Sequence, residues 1–184
     1  MRRRRDGDAL ADPERRKRRS VLWFALMLVW MAVIFCFSAQ PGDESSVSSN
    51  WLADRLVGML GFWYDGLPGA ERQLWYARFT LLIRKTAHMC EYAVLAIPAF
   101  WWLRDRFSLS ERNTALLAFL LCGVYAASDE FHQTFVPGRS GKPLDVLIDA
   151  LGAALAILPL CFCMQKKRRR TALYAKTHNE ERDL

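Results

Sequence analysis

The segment YAASDEFHQTFVPGRSGKPLDVLIDALG, residues 125–152, contains most of the information about how this chain folds. It places acidic, basic and histidine side chains between two apolar runs, residues 114–128 and 146–164. Ionisable groups at the ends of membrane spans are costly unless they are paired, so they mark functional sites. The polar side chains of interest are Asp129, Glu130, His132, Gln133, Arg139, Asp145 and Asp149.

A second polar group opens an earlier apolar run that ends at residue 103. It consists of Arg84, Lys85, His88 and Glu91. Residues three or four positions apart share one face of a helix, so Arg84, His88 and Glu91 form a polar stripe. Asp145 and Asp149 have the same relationship. We expect the stripes to face one another at one side of a membrane, since exposing any of them to lipid would cost several kcal/mol.

Apolar blocks separated by charged runs dominate the composition. The chain has 184 residues, of which 52% are hydrophobic and 24% charged. About 20 apolar residues cross a bilayer, and four blocks approach this length, about 21–37, 86–103, 113–128 and 144–164. The sequence predicts an all-α integral membrane four-helix bundle with amphipathic interfacial helices on the outer side. Residues 21–165 form the membrane domain, between a basic cytoplasmic tail at 1–20 and a basic, polar cytoplasmic tail at 166–184.

The net charge of +7 is concentrated beside the apolar blocks. Basic residues crowd 2–19, 104–112 and 166–170, which places these segments in the cytoplasm by the positive-inside rule. The chain is therefore predicted to be multi-pass with both termini cytoplasmic, and its basic residues contact lipid, not nucleic acid. The motif FSAQPG at 37–42 resembles a signal-peptide cleavage site, although the further spans favour an uncleaved anchor. All five cysteines lie in apolar blocks without disulfide or metal-type spacing.

Outside the spans, the sequence predicts short elements at the outer surface. Residues 38–50 are polar and rich in turn-forming residues, and Ser48 or Ser49 is expected to cap a helix at 51–60. That helix is predicted to lie on the membrane interface, followed by an aromatic turn at 61–69. Ser110 is expected to cap the third span. Gly123 is expected to allow close helix approach.

The polar residues support more than one chemistry. The loop 135–143 contains two prolines and two glycines around Arg139, whose planar fork fits a carboxylate or phosphate; the alternative is that Arg139 and Arg84 neutralise neighbouring carboxylates. His88 or His132, beside Glu91 or Asp129, could act as an acid–base pair or as a structural histidine. The HxxE spacing of His88 and Glu91 is a weak metal signal, and we predict neither metal nor cofactor.

Two blocks resemble the signatures of the VanZ-like membrane proteins. They are RKTAHMCEYAVLA at 84–96 and YAASDEFHQTFVPGRSGKPLDVLIDALGA at 125–153, and SAQPGDESSVSS at 38–49 resembles a third stretch of that family. The resemblance covers roughly residues 30–158. It implies a small multi-span protein of the bacterial cytoplasmic (plasma) membrane. The member that gives the family its name lowers susceptibility to the glycopeptide teicoplanin, and the resemblance carries no catalytic assignment.

Three functions remain open from the sequence. The first is an outer-interface site for an anionic cell-envelope component, a lipid-linked precursor or a lipopeptide. The second is a membrane hydrolase or transferase with a His–carboxylate pair, and the third is a structural accessory subunit of an envelope enzyme. The candidate ligand-binding residues are Arg84, Lys85, Glu130, Gln133, Arg139, Asp145 and Asp149, and the catalytic candidates are His88, Glu91, Asp129 and His132.

Overall fold

A computed structural model describes residues 13–59 and 64–180. Five helices account for most of this part of the chain, and it contains no strand. The prediction of an all-α fold is confirmed. The helices are α1 (Pro13–Ser38), α2 (Gly42–Met59), α3 (Gly69–Phe107), α4 (Glu111–Gln133) and α5 (Pro143–Glu180).

Three of the described helices are long and apolar enough to cross a membrane. They are Pro13–Ser38, Glu111–Gln133 and Pro143–Thr171. These segments correspond to the first, third and fourth predicted spans. The second predicted span, residues 86–103, lies within α3 and carries His88, Glu91 and Pro98, which lower its apolar character. Its crossing of the membrane, and with it the four-helix bundle, remains a prediction.

Helix α3 is the centre of the packing, since α1, α2, α4 and α5 all contact it. Many of the buried residues between these helices are small, which lets the backbones approach closely without a large apolar core. Large apolar side chains instead cover the outward faces of α1, α4 and α5. The buried core comprises Met27, Ile34, Tyr92, Leu95, Ala96, Ala99, Phe100, Leu103, Ala118, Cys122, Ala126, Ala153 and Ile157.

A glycine fixes the contact between α3 and α5. A Cβ atom at Gly152 would collide with the backbone carbonyl of Met89, so only glycine permits this spacing. Among the described residues, no atom beyond the backbone of its own helix lies within 4 Å of the corresponding Cβ position at Gly123. The expected close approach at Gly123 is therefore wrong. The contact at Gly152 brings Asp149, one turn earlier on α5, against the polar face of α3.

Several helix boundaries differ from the prediction. Helix α2 begins at Gly42, so Ser48 and Ser49 lie inside it and are not its N-caps. The described parts of both predicted tails are helical, because α1 begins at Pro13 and α5 continues to Glu180. The cap at Ser110 is confirmed, since its hydroxyl accepts a hydrogen bond from the Asn113 backbone N–H at 3.3 Å. Residues 1–12, 60–63 and 181–184 lie outside the described part, including the first three residues of the aromatic turn predicted at 61–69.

Candidate functional site at one end of the bundle

The predicted site residues come together where α1 and α4 end and α5 begins. Helix α3 packs against each of these three helices, and its middle part lies at the same level. We call this group the polar cluster. Its members are Arg84, Lys85, His88 and Glu91 of α3, Asp129, Glu130, His132 and Gln133 of α4, Arg139 of the α4–α5 loop, and Asp145 and Asp149 of α5.

His88 and Glu91 form the centre of the α3 contribution. The His88 Nδ1 atom lies 3.4 Å from Glu91 Oε2, and both side chains are about four-fifths buried. The charges of Asp149 on α5 and Arg139 in the loop also act on His88. The polar faces of α3 and α5 therefore meet the loop at this imidazole.

Lys85 and Asp145 form an ion pair at the rim of the polar cluster. Both side chains are more than two-thirds buried. Asp145 lies in the first turn of α5, where a negative charge also interacts favourably with the helix dipole. This pair joins the beginning of α5 to α3. The Lys85 ammonium therefore already has a carboxylate partner, Asp145, within the protein.

The end of α4 contributes three buried polar side chains, Asp129, Glu130 and Gln133. The Gln133 amide donates from Nε2 to Asp129 Oδ2 at 3.3 Å. Glu130 Oε2 accepts a hydrogen bond from the Lys142 backbone N–H at 2.9 Å. Glu130 therefore ties the end of the loop, immediately before α5, back onto α4.

Arg139 joins the loop to the end of α1. Its Nε donates to the Gln40 carbonyl at 2.8 Å, and its Nη2 donates to the Phe37 carbonyl at 2.9 Å. The last carbonyls of a helix lack intrahelical partners, so the guanidinium caps α1. The Gly42 backbone N–H also donates to the Pro137 carbonyl at 3.0 Å. Burial lowers the pKa of the Arg139 guanidinium, and the nearby charge of Arg84 acts in the same direction.

Two glycines make this second tether sterically feasible. Gly138 has a φ of 73°, a left-handed conformation that glycine adopts without strain. A Cβ atom at Gly42 would collide with the Gly138 carbonyl. The motifs PGR in the loop and QPG after α1 therefore interlock through backbone atoms, which explains why their glycines occur at these positions.

Several buried polar atoms in and beside the polar cluster have no hydrogen-bond partner within residues 13–59 and 64–180. They include Asp129 Oδ1, Asp149 Oδ1, His88 Nδ1, Glu91 Oε2, His132 Nδ1 and the hydroxyls of Ser38 and Tyr92. The Ser38 side chain faces Asp129, and Tyr92 is close to both Asp129 and Asp149. A buried polar atom without a partner costs about 1–3 kcal/mol, and such atoms call for a functional explanation.

His132 lies on the α1 side of the polar cluster. Its ring packs against Phe35 with centroids 4.7 Å apart, and its charge acts on Asp129. It therefore does not join the group around His88 directly. In the described ranges, no three His, Cys, Asp or Glu side chains are placed to hold one metal ion.

The prediction from sequence did not include Ser38, Gln40 or Tyr92. Tyr92 is fully buried and follows His88 by four residues, so its position on the polar face of α3 could have been deduced from helical spacing. Ser38 and Gln40 belong to the SAQPG stretch, which resembles the family motif at that point. Gln40 contributes its backbone carbonyl, and a backbone contact cannot be predicted from the pattern of side chains.

Comparison with known proteins gives a family and one distant relative. The sequence profile of the VanZ/LLP1 family matches residues 23–164. An uncharacterized protein from the fission yeast Schizosaccharomyces pombe, C11E3.10, is 33% identical over 75 residues, which cover 40% of this chain and 44% of that protein. The chain thus spans less than half the length of this relative. No solved structure matches the chain significantly.

Proposed function

The chain belongs to the VanZ/LLP1 family, and from this premise we propose that its polar cluster binds the anionic headgroup of an envelope lipid, lipid-linked precursor or lipopeptide. One observation carries the proposal. Two guanidinium groups, Arg84 of α3 and Arg139 of the loop, meet in one cluster at the end of α1, where burial and the charge of Arg84 lower the pKa of Arg139 and three neighbouring carboxylates raise it. Both side chains are half-buried.

The pairing of two like charges favours an anion between them. Two guanidinium groups repel each other most strongly where water is partly excluded, and a phosphate or carboxylate relieves that repulsion. Arg139 uses Nε and one Nη2 proton for the α1 carbonyls. Because a guanidinium has five N–H donors, further donors remain for a ligand.

The surrounding carboxylates restrict which anion fits. The cluster holds three permanent cations, Arg84, Lys85 and Arg139, against five acidic side chains, so a bare anion is disfavoured overall. A headgroup that combines phosphate oxygens with a hydrogen-bond donor satisfies both signs of charge, and the P–OH of a singly protonated phosphate monoester is the smallest such donor. The acidic members are Glu91, Asp129, Glu130, Asp145 and Asp149.

The location of the site rests on the distribution of basic residues. Arg19 forms an ion pair with Asp105 at 3.3 Å, and Arg16 donates to the Arg104 carbonyl at 3.0 Å, both at the end of the bundle opposite the polar cluster. In our proposal residues 86–103 complete a fourth span, both termini are cytoplasmic, and the polar cluster faces outward in a bacterial plasma membrane. Because the matching relative is from a eukaryote, the bacterial assignment rests on the resemblance to VanZ-like proteins alone.

Binding is tested by substituting Arg84. The full-length chain, extracted in mild detergent, is examined by native mass spectrometry for bound phosphatidic acid, which carries a phosphate headgroup. We expect Arg84→Gln to weaken binding about tenfold, since a charge-assisted hydrogen bond contributes roughly 1.5–3 kcal/mol. Arg78→Gln is the matched control, because Arg78 lies exposed on the same helix outside the cluster. Equal binding by the two variants would refute the proposal.

Lowered teicoplanin susceptibility would follow if the bound component is one on which the antibiotic acts. Growth inhibition by teicoplanin is compared between hosts expressing the wild-type chain, Arg84→Gln and Arg78→Gln at equal levels. We expect only Arg84→Gln to lose protection. No difference between wild type and an empty host would remove resistance from the proposed function while leaving headgroup binding to be judged by mass spectrometry.

The arrangement of His88 supports a second candidate, a membrane hydrolase or transferase. His88 contacts Glu91 at 3.4 Å and is influenced by Asp149, which is the environment of a histidine general base. In that case His88→Gln abolishes turnover of an ester or phosphoester lipid while the thermal stability is retained. Unchanged turnover in folded His88→Gln protein would reject this candidate.

A further inference from the structure

An apolar groove opens between α1, α3 and α4. It has a volume of about 700 Å³. Its walls include Met31 of α1, Trp102 and Phe107 of α3, and Leu117, Leu121 and Val124 of α4. We call it the lateral groove. Its volume lies within the usual range of about 300–1,000 Å³ for small-molecule sites.

The lateral groove leads to the polar cluster. Tyr125 and Ser128 line it at the end of α4 that carries the cluster, and Asp129 is the next residue. The Tyr125 hydroxyl donates to the Met31 carbonyl at 2.6 Å and thereby bridges α4 and α1 at that end. Phe107 and Leu109 line the opposite end, beside the turn between α3 and α4. The apolar groove thus ends beside the charged site.

We propose that the lateral groove holds one acyl chain of a phospholipid whose headgroup occupies the polar cluster. This inference rests on the proposed function, and it specifies the ligand as a bilayer phospholipid. The apolar groove matches the acyl chain of such a molecule, and the charged cluster matches its headgroup. The groove opens along two helices that are apolar enough to cross a membrane, so acyl chains are the molecules that surround it.

The groove runs along the bilayer depth and begins beside the polar cluster. Its α4 lining from Leu117 to Ser128 extends about 16 Å, at 1.5 Å per helical residue, which is about the depth of one leaflet. Phe107 and Leu109 continue the lining toward the α3–α4 turn. An acyl chain whose headgroup lies level with Ser128 therefore occupies the part of the groove next to the polar cluster.

Photocrosslinking in vesicles tests the groove. The full-length chain is reconstituted in phosphatidylcholine vesicles containing a trace of phosphatidic acid with a diazirine in its acyl chain, and labelled residues are mapped. We expect labelling to concentrate on α4 residues that line the groove. Val124→Trp fills the groove from an exposed position and should lower this labelling about fivefold. Leu116→Trp, which is also at an exposed position of α4 but outside the lining, should leave it unchanged.

The outcomes separate the groove from the headgroup site. Even labelling along α4, or equal labelling of Val124→Trp and Leu116→Trp proteins, overturns the groove and leaves the headgroup proposal standing. The same probe with a phosphatidylcholine headgroup should label the groove less than the phosphatidic acid probe, and Arg84→Gln should remove that difference. Groove labelling that is equal for both headgroups in the wild type overturns the link between the groove and the polar cluster, while native mass spectrometry of Arg84→Gln and Arg78→Gln proteins decides the headgroup site independently.

Discussion

Arg139 donates a hydrogen bond from its Nε atom to the backbone carbonyl of Gln40 at 2.8 Å, across 99 residues of sequence. A second hydrogen bond runs from Nη2 to the Phe37 carbonyl, so the guanidinium binds two backbone carbonyls at the end of α1. The side chain that the sequence pattern assigns to a ligand is thus also the cap of α1. Both uses are compatible, because the fork of a guanidinium can bind backbone carbonyls on one side and an anion on the other.

Removing Arg139 should destabilise the fold as well as the site. We expect Arg139→Ala to lower the free energy of unfolding by about 2–3 kcal/mol, since hydrogen bonds to a charged donor contribute about 1.5–3 kcal/mol. Arg139→Lys keeps the charge but cannot make both bonds, so its stability should be intermediate. Denaturant unfolding in detergent micelles measures the difference. The capping role is contradicted if Arg139→Ala is as stable as Arg78→Ala.

The sequence predicted the residues of the polar cluster better than their contacts. Helical spacing alone places Arg84, His88 and Glu91 on one face, and the cost of exposing them to lipid requires the faces to converge. The partners of Arg139 and Glu130 could not be predicted in this way. These side chains bind backbone groups of distant segments, and a backbone carbonyl or N–H is present at almost every position of any sequence.

Local composition was least informative where tertiary contacts decide the structure. Residues 42–50 are rich in serine and read as a turn, yet they form the first half of α2, which packs against α3. Gly123 and Gly152 look alike within apolar runs, and only the packing shows which of them meets a backbone. Tertiary context overrides such weak local preferences.

The two glycines provide a matched pair of substitutions. Gly152→Ala would force its Cβ into the Met89 carbonyl and separate α5 from α3, so we expect a loss of about 2–4 kcal/mol, typical of overpacking at a rigid contact. Gly123→Ala meets no atom of another described segment within 4 Å and should be neutral or stabilising by up to about 1 kcal/mol through helix propensity. Thermal unfolding in micelles distinguishes them. Equal effects would mean that the α3–α5 contact is looser than described.

Neutralising Asp149 should separate the two candidate functions. Its side chain is 1% exposed, and its Oδ1 atom has no hydrogen-bond partner in the described part of the chain. Asp149→Asn removes the cost of a buried charge, so we expect unchanged or slightly higher stability. A headgroup phosphate should bind several-fold more tightly, because one repelling charge is lost. A His88-based enzyme should instead lose activity.

The control for Asp149→Asn is Asp65→Asn, at an exposed position outside the cluster. Phosphatidic acid binding by native mass spectrometry and lipid turnover are measured on both variants. Weaker phosphate binding by Asp149→Asn than by Asp65→Asn would argue against electrostatic binding at Arg84 and Arg139. It would mean that the Asp149 carboxylate helps to hold Arg84 and Arg139 in position for the ligand, in addition to repelling its phosphate.

The attachment of α2 to α3 should depend on alkaline pH through Tyr76. Its hydroxyl donates to Asp54 Oδ1 at 2.7 Å, and this hydrogen bond, followed by burial, raises the pKa of Tyr76 above its ordinary value of 10.0. Because the pKa is raised in the folded state, the contribution is complete below about pH 10 and is lost as the pH rises through the folded pKa. Near neutral pH, Tyr76→Phe should speed amide exchange in α2 about fivefold, equivalent to roughly 1 kcal/mol for one hydrogen bond.

A spin label at the exposed Met59 in a cysteine-free chain reports the pH dependence directly. We expect its mobility to rise above pH 10 in the wild type, because the phenolate can no longer donate to Asp54 and is repelled by it. Tyr76→Phe should show higher mobility at all pH values and no alkaline step. Tyr64→Phe should retain the step, since the Tyr64 hydroxyl bonds to the Arg72 carbonyl and not to α2. An alkaline step that persists in Tyr76→Phe would show that another group releases α2.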